Sequence, residues 1–319
     1  MKPGWRNENI AVLAGGLSCE REISLISGKA VFDALISRGF KVRLVDAIGD
    51  FLNELKKENV SFAFLALHGT FGEDGTVQTL LDAVGIRYTG SPAAASHIAF
   101  DKSKAQPLFR DAGLTVPSFV ILKKAEEARG HDGISFPLVV KPASAGSSVG
   151  ISIVSEQRGF EAACAEAFRY SDTVLVEQHI RGRELTVGIL GGEPLPVVEV
   201  IAKRDFYDYE AKYKDSKTRY EVPATLEADS ARAVTAAALK AYGLLGCEVM
   251  GRADIIWGAD QRPYVLEVNT IPGLTGKSLL PKAAKAQGID FPDLCVRILD
   301  LSWQRSLERE RPFAVEGRT

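Results

Sequence analysis

Apolar and polar positions in the first ninety residues alternate between strand-like and helix-like patterns. Short apolar runs predict three strands, at residues 10–14, 42–46 and 62–67. A periodic segment at residues 24–37 predicts a helix that ends at Gly39. Strands separated by helices favour a parallel sheet, in which binding residues lie at the carboxyl ends of the strands. Those ends carry the polar clusters 15–22 and 68–75.

The rest of the chain predicts two α+β regions. The first has strands at residues 136–141, 149–154 and 174–177 and a helix at 160–170. The second has strands at 185–189 and 196–201, helices at 230–242 and 292–307, and a hairpin between the helices. The charged stretch 203–221 has no apolar period and is predicted to be a functional surface loop. A length of 319 residues allows two or three domains.

The hairpin is predicted to gather polar side chains on one face. Its strands cover residues 251–257 and 262–269, joined by a tight turn at 258–261. Pairing Gly258 with Gln261 would place Asp254 opposite Val265 and Arg252 opposite Glu267. Because side chains alternate along a strand, the polar face would hold Arg252, Asp254, Glu267 and Asn269. The opposite face, typical of a core, would hold Ala253, Ile255, Tyr264, Leu266 and Val268.

Two carboxylates and an amide oxygen on this polar face indicate a Mg²⁺ site. All are hard oxygen donors, and a site with few protein ligands leaves room for water and phosphate oxygens. The alternative is an edge hairpin with a solvated polar face. Phosphate-binding residues elsewhere in the chain would favour the metal.

Composition and charge narrow the function classes. Apolar residues make up 46% of the chain and charged residues 25%, as in ordinary soluble proteins. The net charge of −2 gives no electrostatic basis for binding nucleic acid or a membrane surface. No apolar run approaches the roughly 20 residues of a membrane span, and the four cysteines are far apart in sequence. We therefore expect a cytoplasmic protein with idle thiols.

Residues 141–150 indicate an anion-binding loop, because small residues let backbone N–H groups surround an anion. Lys141 adds a point charge, and Lys102 on a separate helix could converge on the same polyphosphate. No Gly-Lys-Ser/Thr follows, so the loop is not a Walker A motif, and a plain flexible turn is the alternative. Glu177 ends an apolar strand at an edge that suits adenine, and Glu184 could accept from ribose hydroxyls.

Other candidate residues suit a small zwitterionic substrate. Glu20 could hold an ammonium group or, alternatively, compensate a helix N-terminus. His68 ends the third strand, where a satisfied loop histidine is the alternative. Residues 278–279 open a helix whose N–H groups suit a carboxylate. Gly273 permits close approach to a reacting carbon, and Arg252 adds charge where an oxyanion would form.

Nine motifs stand in order along residues 9–302. They are Gly15-Gly16-x-Ser18-x-Glu20-Arg21-Glu22-x-Ser24, Ala66-Leu67-His68-Gly69, Gly72-Glu73-Asp74-Gly75, Tyr88-Thr89-Gly90-Ser91, Lys141-Pro142, Gly146-Ser147-Ser148-Val149-Gly150, Tyr207-Asp208-Tyr209-Glu210-Ala211-Lys212-Tyr213, Gly251-Arg252-x-Asp254 and Glu267-x-Asn269-Thr270-x-Pro272-Gly273. Each motif alone is modest evidence. Together, at suitable spacing, they resemble the D-alanine–D-alanine ligases of the ATP-grasp superfamily.

The resemblance implies an α/β fold, α+β overall, in three domains. A Rossmann-like parallel-sheet domain (1–95) would bind substrate, and two α+β ATP-grasp domains (96–183 and 184–319) would enclose ATP. The last domain would carry the metal site and a mobile loop at 203–221. The resemblance also implies ATP, two Mg²⁺ ions (Mn²⁺ as a substitute), two D-alanine molecules, a homodimer and peptidoglycan precursor synthesis in the cytoplasm.

By similarity, each candidate residue takes a role. ATP would contact Lys102, Lys141, Ser147, Glu177, Gln178, Ile180, Glu184 and Lys212, the last at the γ-phosphate. The metal ligands would be Asp254, Glu267 and Asn269. The first D-alanine would lie at Glu20 and His68, and the second at Ser278 and the Leu279 N–H. The catalytic set would be Glu20, Ser147, Tyr213, Arg252, Gly273 and Ser278, in which Ser147 and Tyr213 hydrogen-bond with Glu20 and close the loop.

The implied reaction joins two D-alanines through D-alanyl phosphate, with water excluded by closure of the loop. A D-alanine–D-lactate ligase is one alternative, and Tyr213 argues against it because relatives that favour the hydroxy acid replace this tyrosine or rebuild the loop. A non-catalytic nucleotide-binding protein is another, but it would be expected to have lost a metal ligand or Lys141. The small departures from the family pattern are Cys19, Ala143, Ala145 and Lys277, the last of which bears on second-site selectivity.

Overall fold

The computed structural model describes residues 6, 8–123, 130–131, 133–146, 149–201 and 218–310. Within these ranges the chain forms three β-sheets with helices packed against them. In the same ranges, no helix combines the length and the apolar character that crossing a membrane requires.

The N-terminal sheet is parallel, which confirms the prediction from the alternating pattern. Its strands β1 (Ile10–Ala14), β2 (Val42–Asp46), β3 (Phe62–Leu65) and β4 (Arg87–Tyr88) lie in the order β2-β1-β3-β4. The connecting helices are α1 (Arg21–Ser37), α2 (Phe51–Lys57) and α3 (Thr76–Ala83). β1 and β3 are buried along their whole length, as continuous apolar runs in a parallel sheet require. The loops after both strands therefore open at the same edge.

The central sheet is antiparallel and follows two helices, α4 (Ala93–Phe100) and α5 (Lys102–Asp111). Its elements are β5 (Phe119–Leu122), β6 (Leu138–Pro142), β7 (Ser152–Val154), a 3₁₀ turn (Gln157–Gly159), α6 (Phe160–Ala167) and β8 (Val174–Gln178). The strand order is β5-β8-β6-β7. This order places the start of the 143–151 loop at the end of β6, beside β8.

The C-terminal sheet is also antiparallel, in the order β12-β11-β9-β13-β14, with β10 paired to β9. Its elements are β9 (Gly182–Leu190), β10 (Glu193–Pro194), β11 (Val198–Ile201), β12 (Arg219–Glu221), α7 (Ala228–Leu244), β13 (Met250–Gly258), β14 (Pro263–Asn269), α8 (Leu279–Ala286) and α9 (Phe291–Glu310). β13 lies between β9 and β14, so the hairpin predicted from the sequence is part of a larger sheet rather than an isolated edge.

The turn between β13 and β14 is one residue longer than predicted. The N–H of Gly258 donates to the carbonyl of Arg262 at 2.9 Å, and Gln261 has a positive φ of 60°. Three residues therefore connect the paired positions, and the third adopts the left-handed conformation common in such loops. The predicted pairing of Gly258 with Gln261 is wrong because two-residue turns demand glycine or asparagine at positions that this sequence does not fill.

A β-bulge changes the register a second time. The pairing shifts between Asp254 and the next residue of β13, so Asp254 lies opposite Glu267 and Arg252 lies opposite Asn269. The predicted partners were Val265 and Glu267, and both are wrong. The longer turn and the bulge each shift the pairing by one residue. Because the total shift is two residues, which is one full period of a strand, the four polar residues still share one face.

The bulge also exchanges the roles of two neighbouring apolar residues. Val265, not Leu266, is fully buried in the core, whereas Leu266 lies on the polar side of the sheet and lines a cavity there. Tyr264, also predicted to lie in the core, is only half-buried, and its hydroxyl donates to Asp260 at 2.7 Å. Gln106 of α5 stabilises the bulge, since its side-chain amide donates to the Leu266 carbonyl at 2.7 Å.

Helix α9 fastens the N-terminal sheet to the rest of the molecule. Arg305 Nη2 donates to the carbonyl of Tyr88 in β4 at 2.9 Å. Arg38, which follows α1, binds Asp290 and Asp293 at the start of α9, at 2.9 and 2.7 Å. These contacts hold the loops after β1 and β3 against the polar face of β13 and β14.

Candidate active site

Among the described residues, two cavities meet at the polar face of the hairpin. The N-terminal cavity, about 460 Å³, is lined by Glu20, His68, Arg252, Gly273, Ser278 and Leu279. The lysine cavity, about 590 Å³, is lined by Lys102, Lys141, Glu177, Gln178, Ile180 and Ile256. Glu184, Asp254 and Glu267 line both cavities. Two of the predicted metal ligands therefore lie at the boundary between the cavities.

Each predicted metal-binding carboxylate is paired with a cation. Arg252 binds Asp254 through two parallel contacts, Nε–Oδ1 at 2.7 Å and Nη2–Oδ2 at 2.8 Å. Lys102 Nζ lies 3.0 Å from Glu267 Oε2 and donates to the Ala145 carbonyl at 3.0 Å. Burial alone would lower the pKa of Lys102, but the carboxylates around it, Glu267 foremost and then Glu177 and Glu73, together raise it. Lys102 therefore stays cationic beside the polar face.

The donor set of the polar face fits Mg²⁺. The amide nitrogen of Asn269 donates to Asp254 Oδ2 at 3.2 Å, which leaves the amide oxygen as the atom suited to bind a metal. Mg²⁺ is typically bound by one or two carboxylates together with phosphate oxygens and water. In the ranges that the structure describes, no group of three or more His, Cys, Asp or Glu residues could hold a metal. The two carboxylates here are completed by an amide.

The lysine cavity contains a buried ion pair at its inner end. Lys141 Nζ lies 2.6 Å from Glu177 Oε2, and both side chains are at least nine-tenths buried. The predicted nucleotide-binding residues Lys102, Lys141, Glu177, Gln178, Ile180 and Glu184 all line this cavity. The backbone N–H of Gln178 is already used, since it donates to the Ser118 carbonyl at 2.8 Å.

Apolar side chains from two sheets form the walls of the lysine cavity. Ile153 of β7 belongs to the central sheet, and Ile256 and Leu266 belong to the C-terminal sheet. Apolar walls with a few convergent polar groups are typical of a nucleotide-sized pocket. The sequence pattern did not predict Leu266 as a cavity residue, because strict alternation assigned it to the core. Nothing in the sequence indicated that the side chain of Gln106 would bind the bulge.

Glu20, in the loop after β1, is buried beside the loops that follow β3 and β6. Ser18 Oγ donates to the His68 carbonyl at 2.6 Å and accepts from the Glu20 N–H at 3.2 Å. An added Cβ at Gly69 would lie 2.8 Å from Glu20 Oε2, and one at Gly146 would clash with the same oxygen. The Glu20 carboxylate therefore extends from the N-terminal sheet to the loop that follows β6.

His68 is buried and uncharged at neutral pH. Its Nε2 lies 2.9 Å from the Ser27 hydroxyl. Burial and, to a smaller extent, the nearby positive charge of Arg252 lower the pKa of His68 to about 4, although a hydrogen bond to the Ile271 backbone acts in the opposite direction. His68 can therefore orient a ligand by hydrogen bonding but carries no charge for it.

Glu73 lines the N-terminal cavity and was not among the predicted site residues. Burial, followed by the charge of Glu20, raises the pKa of Glu73 to about 8. The N–H of Gly69, which donates to Glu73 Oε2 at 2.7 Å, opposes it, as does Arg252. The sequence offered one indication of Glu73, its position in the polar cluster after β3. Carboxyl groups with shifted pKa values are concentrated in functional clefts, so Glu73 is a further candidate site residue.

The far end of the N-terminal cavity is built by the segment before α8. Ser278 stands at the N-terminus of α8, and its Oγ accepts from the Thr275 N–H at 3.1 Å. A Cβ on Gly273 would lie 2.8 Å from Ser278 Oγ, so the absence of a side chain at Gly273 lets the backbone there pass close to Ser278. Leu279, the first residue of α8, lines this cavity, and the N–H groups at a helix N-terminus suit an anion.

Three predicted site residues, Ser147, Lys212 and Tyr213, lie outside the described residues, as does most of the predicted loop 203–221. All other predicted site residues line one or both cavities, and Asn269 lines the N-terminal cavity together with Arg252 and Asp254. The fold therefore brings together predicted site residues from widely separated segments of the chain.

A parallel-sheet domain joined to two antiparallel sheets, with a lysine-lined cleft between those sheets, defines the class of ATP-grasp proteins. The structure is similar to that of a D-alanine–D-alanine ligase from Bacillus anthracis complexed with ATP. The TM-score is 0.83 at 33% identity, covering 95% of this chain and 99% of the other. A second structure of the Bacillus anthracis ligase gives a TM-score of 0.84 at 36% identity, with the same coverage.

Sequence comparisons specify the family. The family models "D-ala D-ala ligase C-terminus" and "D-ala D-ala ligase N-terminus" match residues 108–300 and 47–91. A D-alanine–D-alanine ligase from Syntrophotalea carbinolica is 46% identical over 92% of this chain and 96% of its own length. A D-alanine–D-alanine ligase from Anaeromyxobacter dehalogenans is 43% identical over 93% of this chain and 97% of its own length. The chain belongs to the D-alanine–D-alanine ligase family.

Proposed function

We propose that the chain joins two D-alanine molecules to D-alanyl-D-alanine at the expense of ATP, releasing ADP and phosphate. The first D-alanine is activated as D-alanyl phosphate, and the second attacks it. The product supplies peptidoglycan precursor synthesis.

The observation that carries this proposal is the position of Asp254 and Glu267 at the boundary of the two cavities. A ligase that passes through an acyl phosphate must bring a nucleotide phosphate to the carboxylate of its substrate. A nucleotide in the lysine cavity would place its terminal phosphate at this boundary. The substrate would approach it from the N-terminal cavity.

In the lysine cavity, Lys141 and Lys102 contact the phosphates of ATP, and Lys212 reaches the γ-phosphate. Glu177 and Glu184 hold the adenosine, together with Gln178 and Ile180. Binding of the phosphates draws Lys141 away from Glu177 and Lys102 away from Glu267, the two carboxylates with which these lysines are now paired. The released carboxylates then serve the adenosine and the metal.

The donor set Asp254, Glu267 and Asn269 fits two Mg²⁺ ions, with Mn²⁺ as a substitute. When bound, these ions would offset negative charge on the transferring phosphate. Freed Lys102 would remain a cation, because the negative charge of the phosphate would replace that of Glu267 beside it.

In the N-terminal cavity, Glu20 accepts from the ammonium group of the first D-alanine, and neutral His68 lies close to it. The carboxylate oxygen of this D-alanine attacks the γ-phosphorus of ATP, and ADP leaves with the electron pair of the broken bond. Closure of the 203–221 loop, with Ser147 and Tyr213 hydrogen-bonded to Glu20, excludes water from the acyl phosphate.

The second D-alanine is held by its carboxylate at Ser278 and the Leu279 N–H, at the N-terminus of α8. Its amine, after loss of a proton from the ammonium group to solvent, attacks the acyl carbon, and the nitrogen of the tetrahedral intermediate passes a further proton to the departing phosphate. Arg252 and the Gly273 N–H stabilise the oxyanion of that intermediate. Collapse of the intermediate expels inorganic phosphate and leaves the peptide bond.

The proposal extends to the organisation of the protein. The three domains are residues 1–95, 96–183 and 184–319, and two copies of the chain form a homodimer. The protein acts in the cytoplasm, where ATP is available.

Incubation of the purified chain with ATP, MgCl₂ and D-alanine tests the proposed function. ADP and D-alanyl-D-alanine are expected in equal amounts, with the dipeptide identified by mass spectrometry against a synthetic standard. L-Alanine serves as the matched control and should release little ADP. Ester exceeding dipeptide when D-lactate is added would favour a depsipeptide ligase instead. Absence of D-alanine-dependent ADP release would favour a non-catalytic nucleotide-binding protein.

A further inference from the structure

An ion pair outside the residues already assigned grips the turn that leads to Glu20. Arg21, the first residue of α1, binds Asp46 at the carboxyl end of β2, with Nη1–Oδ1 at 2.8 Å and Nη2–Oδ2 at 2.5 Å. The same Arg21 Nη1 donates to the carbonyl of Gly16 at 3.0 Å, and the Gly16 N–H donates to Asp46 Oδ1 at 3.2 Å. Both polar groups of one glycine backbone are therefore held by one ion pair.

The glycine turn is shaped to admit this pair. Gly15 and Gly16 both have positive φ, 75° and 76°. A Cβ on Gly15 would clash with Asp46 Oδ1 and lie 2.8 Å from Arg21 Nη1. The absence of a side chain at Gly15 thus provides the space in which Arg21 and Asp46 meet.

The pair acts on Glu20 through the chain itself, because Arg21 is the next residue. On the other side, Ser18 fixes Glu20 through its backbone N–H. Glu20 therefore lies between two anchors, one on the loop after β3 and one on β2. A two-contact arginine–carboxylate pair fixes orientation as well as distance, which a single hydrogen bond does not.

Stability alone does not account for the arrangement. The side chains of Arg21 and Asp46 are 38% and 32% exposed, and ion pairs with this exposure contribute little to folding. The hydrogen bond from Arg21 lowers the pKa of Asp46, so the carboxylate is charged throughout the neutral range. A persistent, geometrically defined pair beside a substrate-binding residue suits a positioning role.

We propose that Arg21 and Asp46 are positioning residues that hold the Glu20 carboxylate where it receives the ammonium group of the first D-alanine. This inference rests on the proposed function, in which Glu20 binds that ammonium. The pair itself touches neither the substrate nor the nucleotide.

Asp46→Asn and Arg21→Lys test the proposal, since each removes the two-contact geometry and keeps the size of the side chain similar. Arg43→Gln is the matched control, because Arg43 also lies on β2 and forms an exposed ion pair, with Glu58 at 2.6 Å. The rate of dipeptide formation would be measured against D-alanine concentration at saturating ATP and fitted to two sequential sites. Melting temperatures of all four proteins would be recorded in parallel.

Asp46→Asn and Arg21→Lys should raise the KM for the first D-alanine about tenfold, because displacing a binding group costs affinity at that site. The KM for the second D-alanine and the melting temperature should match those of Arg43→Gln. Asp46→Glu, which keeps the carboxylate, should recover part of the loss. An unchanged KM for the first D-alanine in Asp46→Asn and Arg21→Lys would overturn the proposal. If the melting temperature of both variants also fell, the ion pair would have a structural role only. If the unaltered chain forms no dipeptide, the proposed function itself fails, and this inference fails with it.

Discussion

Protonation of His68 is expected to destabilise the fold as the pH falls below neutrality. The side chain is buried, and burial, with the charge of Arg252, lowers its pKa from 6.5 to about 4. In the unfolded chain His68 binds a proton near its ordinary pKa, whereas in the folded chain it stays neutral. The unfolded state therefore takes up the proton first, and stability is lost as the pH falls from 6.5 towards 4.

The size of the effect follows from the two pKa values. Each pKa unit corresponds to about 1.36 kcal/mol, so the loss between pH 7.5 and pH 4.5 is about 2.5 kcal/mol. Urea denaturation of the unaltered chain and of His68→Gln at several pH values measures it. The free energy of unfolding should fall by about 2.5 kcal/mol less in His68→Gln than in the unaltered chain. His97→Gln is the control, because His97 is exposed at the end of α4.

Equal pH dependence in the unaltered chain and in His68→Gln would refute the reasoning. So would a flattened pH dependence of the same size in His97→Gln, since the argument depends on the burial of His68 and His97 is exposed. The proteins are compared by how their free energy of unfolding changes with pH rather than by its absolute value, because replacing a buried side chain lowers stability at every pH.

The remaining predictions concern catalysis and the hairpin. Glu267→Gln should lower turnover about 100-fold or more while the protein still folds, because a charged ligand of the transferring phosphate's metal is lost; the surface control Glu193→Gln should keep its turnover, and near-normal turnover in Glu267→Gln would contradict the metal assignment. Gly146→Ala should raise the KM for the first D-alanine about tenfold, since the added Cβ would displace the Glu20 carboxylate; an unchanged KM would show that the loop yields freely. Val265→Ala should lower the free energy of unfolding by about 2 kcal/mol with an unchanged KM for ATP, whereas Leu266→Ala should raise that KM and lower stability by less than about 1 kcal/mol; the reverse pattern in denaturation and kinetics would contradict the bulge.

Much of the fold could be predicted where one periodicity dominates. β1 and β2 match their predicted bounds, because each is a short apolar run between turn residues. β3 ends at Leu65, two residues earlier than predicted, because the apolar run continues into the loop. Tertiary contacts such as those of α9 with the N-terminal sheet leave no pattern in the local sequence.

The hairpin shows both the power and the limit of strand alternation. The polar face was predicted correctly, yet the pairing was not, since neither the three-residue turn nor the bulge has a strong sequence signal. Their two shifts cancel for the polar residues but exchange Val265 and Leu266. The wall of the lysine cavity was therefore missed, although the polar face was predicted.

The sequence predicted those site residues that belong to recognisable motifs, but not those whose role depends on packing in the folded chain. Glu20, Lys141 and the residues of the polar face stand in motifs of the resembling family. Glu73 matters through burial among other charges, which only the assembled structure reveals. Arg21 and Asp46 meet through a glycine turn and a neighbouring strand, so their pairing depends on the fold.

Isotope transfer tests the central claim most directly, because it follows the bond that links ATP to the substrate. D-Alanine with both carboxylate oxygens replaced by ¹⁸O would be incubated with ATP, MgCl₂ and the purified chain. The phosphate released and the dipeptide would then be examined by mass spectrometry. The account predicts one ¹⁸O atom in each phosphate and one in the carbonyl of the new peptide bond. Phosphate without ¹⁸O would contradict it, because the carboxylate would not have attacked the γ-phosphorus.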